Sequence, residues 1–88
     1  MAYKVELRPE AADELLKLDK EVDERIRNKL KWLSENYDSL NPEAATAQLK
    51  GLFKLRIGSY RALYNVNKKE SIITVHLIGH RKNIYKAK

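Results

Sequence analysis

Residues 51 to 66 read Gly51-Leu52-Phe53-Lys54-Leu55-Arg56-Ile57-Gly58-Ser59-Tyr60-Arg61-Ala62-Leu63-Tyr64-Asn65-Val66. Two runs alternate apolar and polar residues about a Gly-Ser pair, and that pattern decides the fold. Phe53, Leu55 and Ile57 point one way and Lys54 and Arg56 the other, the period of two expected of a half-buried strand. Gly58-Ser59 is a two-residue hairpin turn. Tyr60, Ala62, Tyr64 and Val66 are the buried set of the next strand, with Arg61 opposite. Asn67 to Glu70 makes a second turn. Ser71 to Ile78 is rich in β-branched residues and apolar on both faces, so it reads as a central strand that Gly79 ends. The three strands form an antiparallel meander.

Upstream the period changes. Tyr3 to Leu7 alternates as a short strand. Pro9 suits the first turn of a helix, where its missing N–H costs nothing, and Glu10, Asp13 and Glu14 complement the helix N-terminus. Ala11, Ala12, Leu15, Leu16 and Leu18 form the apolar stripe of this helix. Asp19 is the expected N-cap of a second helix, whose face carries Val22, Ile26, Leu30 and Leu33 with Trp32 and Tyr37 extending its contacts. Helices joined this tightly predict an antiparallel hairpin. Asn41-Pro42 breaks the pattern, and Ser39 to Lys50 is a connector with a helical turn around Glu43 to Gln48. The expectation is one domain over residues 1–88, a mixed α/β fold of the α+β type in the order β-α-α-β-β-β. The helical hairpin packs on one face of the meander sheet, and the other face stays partly open.

Composition narrows the function classes. The chain has no cysteine, so disulfides and thiolate metal sites are excluded. No run has the length of a membrane span, and the N-terminus lacks the apolar stretch of a signal peptide, which favours a cytoplasmic location. The net charge of +6 is unevenly distributed. Residues 1–50 carry 9 Lys/Arg against 11 Asp/Glu, a balance of −2, whereas residues 51–88 carry 9 against the single acid Glu70, a balance of +8. Such asymmetry points to a polyanion partner.

Alternation places Lys54 and Arg56 on one face, about 6–7 Å apart. Arg61 follows on the facing strand, and Arg81 and Lys82 follow the last strand. Like charges gathered without acids favour an anionic ligand, and the planar fork of arginine suits phosphate. His76 reads as a packed strand residue. His80, at the strand end beside Arg81, is a candidate substrate contact. The two histidines stand about 13 Å apart on one face if the strand runs through both, too far to share a scissile phosphate. No spacing supports a metal site, a phosphate-binding glycine loop or a nucleophilic triad.

The stretch from Leu49 to Tyr64, with its Leu-x-Gly entry, basic strand, Gly turn and Tyr-Arg, resembles the core motif of the RelE/ParE toxin superfamily. The tail Ile78-Gly79-His80-Arg81-Lys82-Asn83-Ile84-Tyr85 resembles the closing His-Arg-Lys-Asp-Ile/Val-Tyr signature of RelE-type members. The similarity runs from about Tyr3 to the C-terminus. It implies a toxin of a type II toxin–antitoxin system that enters the ribosomal A site and cleaves messenger RNA there. The ribose 2′-OH attacks the adjacent phosphate and the 5′-oxygen leaves, with neither metal nor cofactor. By resemblance, Lys54 activates the 2′-OH or stabilises charge, and Arg61 holds the scissile phosphate. Arg81 neutralises or protonates the leaving oxygen, and Tyr85 orients or stacks on the substrate. Arg56 stands where some relatives have a second lysine, and as a lasting cation it is a clamp and a poor base. Lys50, His80 and Lys82 are expected to add substrate contacts.

Two departures qualify the match. Asn83 replaces the acid of the closing signature, and Arg56 leaves the general base open. The competing readings are a ParE-like inhibitor of DNA gyrase without ribonuclease activity, a basic nucleic-acid-binding module without activity, and a toxin decayed into a structural protein. Arg61, Arg81 and Tyr85 together favour the nuclease. The implied partners are the ribosome with its message and a RelB-like antitoxin, acidic where it wraps the basic half, with no membrane.

Overall fold

Residues 3–39, 43–44 and 52–80 are described by the structure, a computed structural model; of 43 and 44 the backbone alone is described. The first strand, β1, is Lys4–Leu7, one residue shorter than the alternation predicts. Arg8 then holds extended backbone and Pro9 opens helix α1, Pro9–Leu16. Pro9 occupies the first helical position, where its fixed φ is already right for a helix. Asp19 flanks helix α2, Lys20–Asn36, as expected, although its side chain makes no capping hydrogen bond. A short 3-10 turn, Tyr37–Ser39, closes α2. Strands β2 (Glu43–Ala44), β3 (Phe53–Ile57), β4 (Tyr60–Asn67) and β5 (Ile72–His80) complete the order.

The sheet has five strands in the order β1-β5-β4-β3-β2. The β3-β4-β5 meander is antiparallel and β5 is central, as its two apolar faces predict. The first strand pairs in parallel with the last, Lys4 opposite Ile72 and Leu7 opposite Val75. Glu43 and Ala44 do not form a helical turn. They pair with Lys54 and Phe53 as a two-residue edge strand. The connector pattern concealed this because a strand so short has no period of its own. Gly79 does not end β5, which continues to His80 paired with Tyr60.

The core lies between the helices and one face of the sheet. Ala11, Leu15, Ile26, Leu30, Leu33, Tyr37, Leu55, Ile57, Ala62, Tyr64, Ile73, Val75 and Ile78 form one buried cluster. At about 1.5–3 kcal/mol for each large apolar side chain, this burial is the main stabilising contribution in a domain of this size. Each helix packs on the sheet more than on the other helix, α1 against β5 and α2 against β1 and β3. The expected stripe of α1 is therefore narrower than its apolar residues suggest. Ala11 and Leu15 are buried, whereas Leu16 is 80% exposed. Tyr3, Tyr37, Tyr64 and Phe53 touch in series with ring centroids 5.2, 6.5 and 5.8 Å apart, tying β1 to β4 and β3 through the 3-10 turn.

Two irregularities set the register. Gly58 has φ +60° and starts the two-residue connection between Ile57 and Tyr60. A glycine there suits the hairpin turn whose twist matches its strands. The second lies on β5. Leu63 faces Leu77 but Tyr64 faces Val75, so His76 is an extra residue, a β-bulge. Ile73 and Val75 face the helices before it, and Ile78 and His80 are in phase with that face after it. One inserted residue thus exchanges odd for even along the strand.

Candidate functional site

The sheet face turned away from the helices carries the cations. Arg56 and Arg61 are directly opposed across β3 and β4, and Lys54 opposes Leu63 on the same face. Opposed residues stand about 4.5–5.5 Å apart at Cα, so two guanidinium groups and an ammonium share one patch. The structure brings Lys54, Arg56 and Arg61 together as alternation predicts. Arg56 is exposed and Lys54 half-buried. Arg61 is also half-buried, and its Nη1 is shut from solvent without a hydrogen-bond partner among the described residues. A buried cationic donor without an acceptor is costly unless a ligand supplies one.

The surroundings of Arg61 strengthen that reading. Leu63, next on the same face, is 0% exposed yet lies outside the helix-side core cluster. The second face is therefore less open than expected, and it gives Arg61 an apolar neighbour. Low polarity there strengthens any ion contact the guanidinium makes. On the other side, Arg61 faces Gly79 of β5. The bulge at His76 puts a residue without a side chain at that position. Sequence reading missed both Leu63 and Gly79, because neither residue type signals a site and the phase of β5 is not visible in its composition.

The histidines separate. His80 lies opposite Tyr60 with ring centroids 5.6 Å apart, in phase with the helix-facing side rather than with Arg61. His76 is half-buried at the bulge, and its Nε2 has no hydrogen-bond partner among the described residues. Burial, and then the nearby Arg8 charge, lower its pKa below the usual histidine value, with Glu10 opposing. The bulge replaces the simple alternation from which a shared face was expected. Lys50, Arg81, Lys82 and Tyr85 lie outside the described residues.

Around the edge of β3 is a cleft of about 450 Å³ between α2 and the Gly58 turn, lined by Arg25, Asn28, Lys29, Trp32, Arg56, Ile57 and Gly58. Trp32 is 39% exposed instead of extending the core, and the Lys29 ammonium sits 3.9 Å from its ring centroid. Among the described residues no group of three or more His, Asp or Glu side chains is placed to hold a metal, and no helix is long and apolar enough to cross a membrane.

Residues 5–85 match the family model described as the ParE toxin of the type II toxin–antitoxin system parDE. A RelE-like toxin protein of Escherichia coli is 33% identical, with 93% of this chain and 86% of that protein covered. Among solved structures, the toxin–antitoxin complex RelBE2 of Mycobacterium tuberculosis superposes with a TM-score of 0.78 at 22% identity, covering 92% of this chain and 93% of that one. A mutant of E. coli toxin RelE in the free state gives 0.76 at 23% identity, covering 98% and 93%. These two likenesses concern the fold.

Proposed function

The chain belongs to the RelE/ParE superfamily of type II toxin–antitoxin toxins, and from that premise we propose that it is a metal-independent endoribonuclease that cleaves messenger RNA in the ribosomal A site. The observation that carries the reading is Arg61, a half-buried guanidinium whose buried Nη1 has no partner among the described residues, directly opposed by Arg56 and next to Lys54 in the cationic patch. A phosphodiester would supply an acceptor to the Arg61 Nη1. As the ribose 2′-OH attacks the adjacent phosphate, negative charge grows on the phosphoryl oxygens. Fixed cations beside apolar Leu63 favour that charge more than the ground state. Arg56 and Arg61 remain protonated and act as clamps. Arg81 serves the departing 5′-oxygen, Tyr85 the base, and Lys50 and Lys82 flanking phosphates. Catalysis here is largely positioning and electrostatics.

The match to a ParE family model supports a second reading, a gyrase inhibitor of the same fold that cuts no RNA. One paired experiment separates the two. Purified toxin is assayed on ribosomes programmed with a defined message and on gyrase-catalysed supercoiling. The nuclease reading expects cleavage that persists in chelator while ribosomes stay intact and that Arg81→Ala lowers ~100- to 1000-fold. Gyrase inhibition with the message intact overturns it. The partner proposed is a RelB-like antitoxin whose acidic segment folds over the basic half, as the +8 balance of residues 51–88 invites.

A further inference from the structure

We propose that the cleft between α2 and the β3–β4 turn is a second RNA subsite, where Trp32 stacks on an unpaired base of the message and Arg25, Lys29 and Arg56 hold the phosphates beside it. The inference rests on the nuclease reading and extends it to the strand flanking the scissile bond. Arg56 joins the two places. It opposes Arg61 on the sheet and also lines the cleft, so a strand held at Arg61 is led around the edge of β3 toward Trp32.

The composition of the cleft selects its occupant. Trp32 and Leu16 are the exposed large hydrophobic residues among those described, and the cations lie beside the tryptophan. Three cations, one amide and, among the described residues, no acid line the cleft. The Lys29 ammonium at 3.9 Å marks a ring face that a flexible stem covers and can release. Arg25 reaches over the turn, its Nη1 3.7 Å from where a Cβ on Gly58 would lie. RNA alternates a π-face with a phosphate along its length, and a ring set among cations matches that alternation. Asn28 adds donors and an acceptor for a base edge. An acidic peptide would satisfy the cations and leave the indole unused. The volume, about 450 Å³, is that of a small-ligand site and admits a nucleotide.

Trp32 is the chain's only tryptophan, so its fluorescence reports the cleft directly. Titration with a single-stranded oligoadenylate should quench it saturably, and added salt should reverse the effect, whereas an oligoglutamate of equal charge should leave emission unchanged. With labelled oligoadenylate, Trp32→Ala should weaken binding about tenfold, Trp32→Phe should restore most of it, and Arg25→Ala should lower the salt slope by about one. A message carrying 4-thiouridine beside a 2′-deoxy scissile nucleotide should photo-cross-link to the peptide containing Trp32 on the ribosome. Absence of quenching, equal quenching by oligoglutamate, or cross-links to ribosomal RNA alone would overturn the proposal. The two readings fail separately. Message cleavage with a silent Trp32 removes the subsite and keeps the nuclease, and quenching with an uncut message does the reverse.

Discussion

Along β4, Tyr60, Ala62, Tyr64 and Val66 turn toward the helices, whereas Arg61, Leu63, Asn65 and Asn67 turn away. The first set meets a packed core, and each buried member contributes to holding the domain together. The second set contains a half-buried cation, opposed by another, with one buried nitrogen that has no hydrogen-bond partner among the described residues. One strand therefore divides by parity, with the helix-side core on one face and the proposed anion contacts on the other. Substitutions on the two faces should then differ in kind as well as in size.

The largest effect belongs to the packed face. Tyr64, 1% exposed and in ring contact with Tyr37 and Phe53, should cost about 3–5 kcal/mol on truncation to Ala. Chemical denaturation measures this, and a loss under 1 kcal/mol would break the contrast. On the other face, Arg61→Ala should reduce single-turnover message cleavage ~100- to 1000-fold while leaving the denaturation midpoint unchanged or raised. A variant that unfolds would show the arginine to be structural. The turn between the faces comes next. Gly58→Ala forces a side chain onto φ +60° and should destabilise the fold by about 1–2 kcal/mol. Since a Cβ there would meet Arg25 at only ordinary contact distance, the cost is in the backbone, and Gly58→Asn should recover part of it.

The smallest effects are the pH slopes. His76 has a folded-state pKa below the unfolded 6.5, so the unfolded chain binds more protons as pH falls through that region. Stability should decline there and hold steady above it, and His76→Gln should flatten the acid slope. Tyr64 is pushed up to about 12 from 10.0, by burial and then by Tyr37. The folded state keeps its proton when the unfolded state loses it, so stability should fall as pH rises from 10 toward 12. Thermal midpoints across pH test both slopes, and a profile unchanged by His76→Gln would remove the histidine from this account.

The cationic patch was legible because strand alternation and two-residue turns are written in residue type. Lys54, Arg56, Ile57, Gly58 and Arg61 fall where a period of two puts them. The bulge at His76 was not legible, since a strand apolar on both faces looks the same in either phase. That hidden phase decides that Gly79, rather than Ile78 or His80, stands opposite Arg61. Strand β2 escaped notice because two residues carry no period. Trp32 does not extend the contacts of the α2 stripe as the sequence suggests, because Leu33 beside it takes the buried position and leaves the indole outside.

The parallel seat of β1 against β5 has a consequence for how the chain is made. Lys4 emerges from its own ribosome long before Ile72, its partner, has been polymerised. Until then the N-terminal strand has no neighbour in the sheet, because β5 separates it from β4. Closing a loop of this length is a late and slow event relative to the local meander. The finished sheet, with Arg61 between Arg56 and Gly79, can form only once β5 has been made. The chain is thereby kept from completing its sheet until β5 has been made, by topology and timing alone.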